Sequence, residues 1–167
     1  MKILVNKKKS KSLIKEGLNF QSMPALIKRF CSKSELILDF CCDASHPNTT
    51  ALRSLGFSVV PFIVDDPNYI EPDSTRQPLF SYQYDVIFMD RQLNLLRHKK
   101  NLKKVLALVS DLLDTNGLFM ANYFKPHDQH IRIRTMGKHL ITHFHEVEII
   151  NNDWNEPVYF CQFPKHR

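Results

Sequence analysis

The sequence holds no apolar run approaching the roughly 18 residues that a membrane-spanning helix requires, so no part of it is expected to cross a bilayer. Its lysine cluster Lys7-Lys8-Lys9, with Lys11, is not followed by the apolar stretch of a secretory leader, which argues against export. Cysteine is sparse, and Cys31, Cys41, Cys42 and Cys161 show no paired C-x-x-C spacing. That pattern argues against a zinc knuckle and a disulfide framework and points to a reducing, cytoplasmic compartment. Acids are the minority charge, 17 against 23 lysines and arginines, leaving a formal charge of +6. Glycine is scarce, with four residues in all. What is present suits one domain spanning residues 1–167 with a single core: 43% of the chain is hydrophobic. Residues 1–21 read as a basic N-terminal arm that opens with a short strand, Lys2-Ile3-Leu4-Val5.

The chain is organised around Glu35 to Gly56. Leu36, Ile37 and Leu38 form a short apolar run, Asp39 closes it, and a polar cluster from Asp43 to Thr50 follows before apolar spacing resumes at Ala51, Leu52 and Leu55. A strand that ends in an acid and turns at once into a helix presents N–H groups, a helix N-terminus and a carboxylate to one crevice. In open α/β sheets such a crevice binds nucleotides.

Ahead of this stretch, Ser22 to Phe30 reads as a helix capped by Ser22 with Pro24 in its first turn. After it, Gly56 ends the helix that starts near Asn48, and Phe57 to Val64 forms a second strand whose Pro61 implies a sheet edge or a bulge. Residues 66–83 carry Pro67, Pro72 and Pro78 and read as a loop. Tyr84 to Asp90 is a buried strand, Leu93 to Leu113 a long helix, Asp114-Thr115-Asn116-Gly117 a turn, and Leu118 to Phe124 a strand. A helix near Ile133 to Phe144, a strand Glu146 to Ile150, a turn at residues 151–153 and a last strand Val158 to Phe163 complete the pattern.

Asp39-Phe40 and the turn after them resemble the first motif of class I S-adenosylmethionine-dependent methyltransferases, in which an apolar strand ends in an acid and a glycine-rich turn leads into a helix. The pattern is divergent here, because Cys41, Asp43 and Ser45 occupy the glycine positions. The succession of strand, helix, Asn-Gly turn and strand from Tyr84 to Phe124 resembles the family's fourth and fifth strands and the helix between them. The final strand pair resembles its sixth and seventh. The resemblance implies a three-layer α/β/α Rossmann-like fold, mostly parallel, with a C-terminal antiparallel strand pair. Asp39 and Asp85 are 46 positions apart (85 − 39). A βαβ unit takes roughly 30 residues, so the interval holds one crossover and the fold is expected to lack about one strand-helix unit.

The same resemblance implies S-adenosylmethionine as cofactor, with Asp39, Cys41, Asp43, Ser45 and Asp65 on the cofactor side. Asp65 corresponds to the acid that takes the ribose hydroxyls only if a bulge at Pro61 advances it. Turn and cap roles remain open for these residues, since Asp and Ser are favoured there in any case. Asp90 and Gln92, at the end of the Tyr84 strand, are the catalytic candidates. Asp90 would orient or deprotonate an acceptor, and Gln92 or Asn94 would hydrogen-bond a base or amide; Asp90 reads equally well as the cap of the following helix. Gly117 to Phe124 also resembles RNA 2′-O-methyltransferases, where a lysine stands in this strand; here that position is Asn122, which carries no charge.

His139 and His143 share a helix face but have no second ligand pair, so no metal site is expected. Cys41-Cys42 reads as a pair of small buried hydrophobes. The runs Arg97-His98-Lys99-Lys100 and Lys103-Lys104 form either a solvated face or a surface for a phosphate-bearing partner such as RNA. Two functions follow. The chain is a small methyltransferase acting on a small molecule or RNA, or it is a degenerate methyltransferase fold without cofactor that serves as a nucleic-acid- or protein-binding module.

Overall fold

The computed structural model describes residues 22–41, 47–63, 80–96, 98–123, 133–151 and 157–165. The expected N-terminal arm and the loop at 66–79 lie outside these residues, as do Asp43, Ser45 and Asp65. The interval in which a strand-helix unit was expected to be lost is likewise described only in part.

Helix α1 (Met23–Phe30) starts at Ser22, whose Oγ accepts the Ala25 N–H at 3.4 Å, and it places Lys28 and Arg29 in the last turn, where they complement the helix dipole. Strand β1 (Leu36–Cys41) follows, then α2 (Pro47–Ser54) and β2 (Ser58–Ile63). Gly56, at φ 86, makes the left-handed turn that closes α2 and lets Phe57 N–H bond back to the Leu52 carbonyl at 3.1 Å. Strand β3 (Tyr84–Met89), a 3₁₀ turn (Gln92–Leu95), α3 (Lys99–Leu112), β4 (Leu113–Asn122), α4 (Ile133–His143), β5 (Phe144–Asn151) and β6 (Pro157–Pro164) complete the order.

The described strands form one six-stranded sheet in the order β2-β1-β3-β4-β6-β5. β1 pairs in parallel with β2 and β3, and β3 with β4, whereas β6 runs antiparallel to both β4 and β5. This is the expected fold class, a mostly parallel sheet with an antiparallel pair at its end. β3 reads as a continuous apolar run because it is central and covered on both faces. Val86 and Phe88 face α1 and α2, with Ile37, Leu52 and Met120, while Ile87 and Met89 face α3 and α4, with Leu102, Leu106, Phe119 and Leu140. Asp85, exposed on β3, accepts the Leu36 N–H at 2.8 Å and so ties the starts of the two central strands.

Three expectations need correction. β1 does not end at Asp39 but continues to Cys41, in register with Ile63, because Phe40 packs edge-on against Phe62 at 4.9 Å and keeps both strands extended. Pro61 lies on the edge strand of the described sheet, as expected, but without a bulge: pairing runs unbroken from Leu36↔Ser58 to Cys41↔Ile63. The long helix from Leu93 is broken. Arg91 is left-handed (φ 61), Gln92–Leu95 is a 3₁₀ turn, Leu96 and His98 are extended, and only then does α3 begin. Leu93 and Leu96 are both buried, and their three-residue spacing serves a 3₁₀ turn as well as an α-helix.

The turn expected at Asp114 to Gly117 is instead part of β4, where it interrupts the β3–β4 pairing, which jumps from Tyr84↔Leu113 to Val86↔Leu118. Asp114 Oδ1 accepts the Asn116 N–H at 2.9 Å, and a methyl group on Gly117 would lie 2.6 Å from Leu113 Cγ and 2.9 Å from the Asp114 carbonyl oxygen. Gly117→Ala is therefore expected to cost about 1–3 kcal/mol through overpacking. A lowered urea midpoint at unchanged denaturant dependence is the readout, and an unchanged midpoint would show that the turn gives way freely. No helix among the described residues is long and apolar enough to cross a membrane.

Candidate functional site

The chain leaves β1 to form β2 on one side and later returns to form β3 on the other, so strand order reverses between β1 and β3. Crevices at such a reversal, outside the carboxyl ends of the strands, are where open α/β sheets receive ligands. Asp39 near the end of β1 and Asp90 just past the end of β3 flank this point, Asp39 being paired with Phe88 across the two strands.

Both acids are held by the first turn of α2. Asn48 Nδ2 donates to Asp90 Oδ2 at 2.8 Å, and its neighbour Thr49 donates through Oγ1 to Asp39 Oδ2 at 2.7 Å. Asp39 and Thr49 are both only 2% exposed, so this bond is made out of water. From β4, Asn122 Nδ2 donates to the other Asp90 oxygen, Oδ1, at 2.7 Å, while Asn122 Oδ1 accepts the Arg91 N–H. Asn122 thus holds both the carboxylate and the left-handed backbone that follows it. Asp90 does not cap the 3₁₀ turn, whose N-cap, Arg91, makes no side-chain capping bond.

An ionised carboxylate offers about four lone-pair directions, and the two asparagines occupy one on each Asp90 oxygen. Beside it, Gln92 Oε1 and both amide atoms of Asn94 are buried without a hydrogen-bond partner among the described residues. Left unsatisfied, such groups carry a desolvation cost that a ligand's donors and acceptors would relieve. Behind Asn122, the hydroxyls of Tyr123 and Tyr159 are pushed above the usual phenol range, in both cases chiefly by burial, and so add no charge to this end of the sheet at neutral pH.

Of the sequence-derived candidates, the fold brings Asp39, Asp90 and Gln92 to one edge of the sheet. Cys41 closes β1 with its backbone at the same edge. Asp43, Ser45 and Asp65 lie outside the described residues. Asn48 and Thr49 read in the sequence as the end of a polar cluster and the start of a helix, not as site residues, because the acids they meet, Asp90 and Asp39, lie beyond other strands or earlier in the chain. Among the described residues no group of three or more His, Cys, Asp or Glu side chains is placed to hold a metal ion.

No protein-family model and no curated protein matches the sequence. Solved structures do match the fold. An O-methyltransferase family protein from Burkholderia thailandensis aligns over 84% of this chain at 10% identity and a TM-score of 0.56; the chain spans 55% of that protein's length. The 1,6-didemethyltoxoflavin N1-methyltransferase of the same organism, solved with S-adenosylhomocysteine, aligns over 95% of this chain and 83% of its own at 13% identity and a TM-score of 0.54. A TehB-like S-adenosylmethionine-dependent methyltransferase from Corynebacterium glutamicum aligns over 95% of this chain and 96% of its own at 12% identity and a TM-score of 0.53. At these identities the likeness is one of architecture, and the chain has the Rossmann-like α/β/α fold of the class I S-adenosylmethionine-dependent methyltransferases.

Proposed function

We propose that this chain is an S-adenosylmethionine-dependent methyltransferase whose acceptor is a small molecule or RNA. The observation that carries the reading is the placement of Asp39 and Asp90 on either side of the strand-order reversal, both anchored by consecutive residues of one helix turn. The residue types suit both substrates: the cofactor's amine and ribose hydroxyls are donors for which Asp39 is an acceptor, and Asp90 and Gln92 Oε1, the latter without a partner among the described residues, are acceptors for the second substrate.

In this reading Asp39 serves the cofactor side, with the backbone of Cys41 at the same strand end, and Asp90 and Gln92 serve the acceptor side. Bound S-adenosylmethionine supplies an electrophilic methyl group. The protein's own contribution is positional. Asp90, gripped at both oxygens by neutral amides, uses a remaining lone pair to accept the O–H or N–H of the acceptor and aim its lone pair. Gln92 Oε1 takes a second donor of the acceptor, which fixes its orientation.

A second reading is favoured by the same hydrogen bonds. Since Thr49, Asn48 and Asn122 already engage the two acids, the acids also act as internal ties, as they would in a methyltransferase fold retained as a nucleic-acid- or protein-binding module without cofactor. Calorimetric titration of the purified chain with S-adenosylmethionine and S-adenosylhomocysteine separates the two. The methyltransferase reading expects micromolar binding that weakens at least tenfold in Asp39→Ala, with Asp90→Ala retaining cofactor but losing methyl transfer. A folded sample giving no heat up to millimolar ligand would overturn it in favour of the module.

A further inference from the structure

The first two turns of α3 carry Lys99, Lys100, Lys103 and Lys104, all exposed. Helix stability does not explain them. The N-terminal end of a helix favours acids and disfavours cations, yet α3 has no acid in its first turn and no base in its last, and its one acid, Asp111, lies exposed near the C-terminal end. Lys99–Lys103 and Lys100–Lys104 are moreover like-charge pairs four residues apart, which oppose helix formation. α4 adds the exposed Lys138 and brings no carboxylate anywhere in Ile133–His143. His139 on α4 lies within the field of Lys103 and Lys99, which together with burial, the larger cause, holds its imidazole below the usual histidine range.

From this charge pattern we infer that the exposed face of α3, with its border on α4, binds the phosphodiester backbone of a single-stranded nucleic acid. Within each pair the lysines are about 6 Å apart along the helix axis, a step suited to successive phosphates of an extended strand. α3 begins at Lys99, separated by three residues from the Gln92–Leu95 turn that follows the carboxyl end of β3, so a strand lying on these lysines leads towards the Asp90 crevice. A membrane surface fits poorly: an interfacial helix needs an exposed apolar face, and Leu102, Val105, Leu106 and Val109 are buried in the core. The inference deepens the functional reading by naming the acceptor class. Binding itself rests only on the lysines.

The test is fluorescence anisotropy of the full chain, without cofactor, against a labelled single-stranded RNA of about 20 nucleotides and a DNA of the same sequence, between about 50 and 200 mM salt. Lys99→Gln/Lys103→Gln is expected to weaken binding at least tenfold at the lower salt and to reduce the salt slope by about 1.4, two contacts at about 0.7 each for a single strand. Lys99→Arg/Lys103→Arg is expected to retain binding. The Gln variant should unfold at no lower temperature than the parent, since like-charge repulsion is relieved. Tighter RNA than DNA binding identifies RNA as the source of the backbone.

Unchanged affinity and slope in the Gln variant would overturn the inference, as would displacement of the RNA by polyglutamate at equal charge concentration. The His139 imidazole, followed by NMR, is expected to titrate at higher pH when the strand is bound, because phosphates offset Lys99 and Lys103; no movement would place the strand on another basic segment and reject this surface. Cofactor heat lost while RNA binding persists counts against the methyltransferase reading alone, and the converse against this surface alone.

Discussion

Thr49→Val is expected to destabilise the protein by about 2 kcal/mol, the range for a hydrogen bond to a charged group. Valine keeps the shape of threonine and its packing, so the change isolates the hydroxyl. Its loss withdraws a 2.7 Å hydrogen bond from the buried Asp39 carboxylate. A buried carboxylate short of a donor is costly, and at 2% exposure water has little access to replace the bond. Thr49→Ser keeps the donor and is expected to recover more than half of the loss. Urea denaturation of the three proteins, read from the midpoints at a common denaturant dependence, provides the check. A cost below about 0.5 kcal/mol would mean that the other contacts of Asp39 suffice to hold its charge. Because Thr49 and Asn48 are adjacent, loosening one acid also shifts the turn that grips the other. The variant is therefore expected to weaken any cofactor binding beyond what stability accounts for.

Asn122→Leu is the second. It removes two hydrogen bonds at once: the donor to Asp90 Oδ1 and the acceptor of the Arg91 N–H. Both bonds are partly or fully accessible to water, so the expected cost is smaller per bond, about 1–2 kcal/mol in total. The functional effect is larger. Arg91 is a non-glycine residue at φ 61, a conformation that persists only where surroundings hold it. Without Asn122 the backbone after β3 relaxes, and among the described residues Asp90 keeps the bond from Asn48 alone. Under the methyltransferase reading, transfer is expected to fall at least a hundredfold, because a misplacement of about 1 Å at a positioned group has that effect. Asn122→Asp, which keeps the acceptor for Arg91 but sets a carboxylate against Asp90, is expected to lose activity as well. Full activity in Asn122→Leu would remove Asp90 from the acceptor side. In this fold Asn122 fastens the end of β3 and the backbone after it to β4.

Local physics was readable from the sequence. The Ser22 cap with Pro24, the apolar run of β3 and the helical spacing from Leu102 to Leu112 each depend on neighbours within a few positions, and each appears as expected; the Asp114-to-Gly117 turn instead became an irregularity within β4. So does the fold class, since alternating strands and helices ending in two successive strands leave few ways to build a sheet. Residues whose local signal served two conformations were misjudged: Leu93 and Leu96 suit a helix or a 3₁₀ turn, and Phe40 continues β1 only because Phe62 is there to pack on it. In the candidate site, Asp39, Asp90 and Gln92 were legible from their places at strand ends, but the side chains that hold the two acids depended on tertiary structure. Asn48 meets Asp90 across 42 positions and Asn122 meets it across 32, and neither pairing exists until strand order brings β3 between β1 and β4. Hydrophobic period and turn chemistry are written into short windows of sequence, whereas a hydrogen bond between distant side chains is decided by where the sheet places its strand ends.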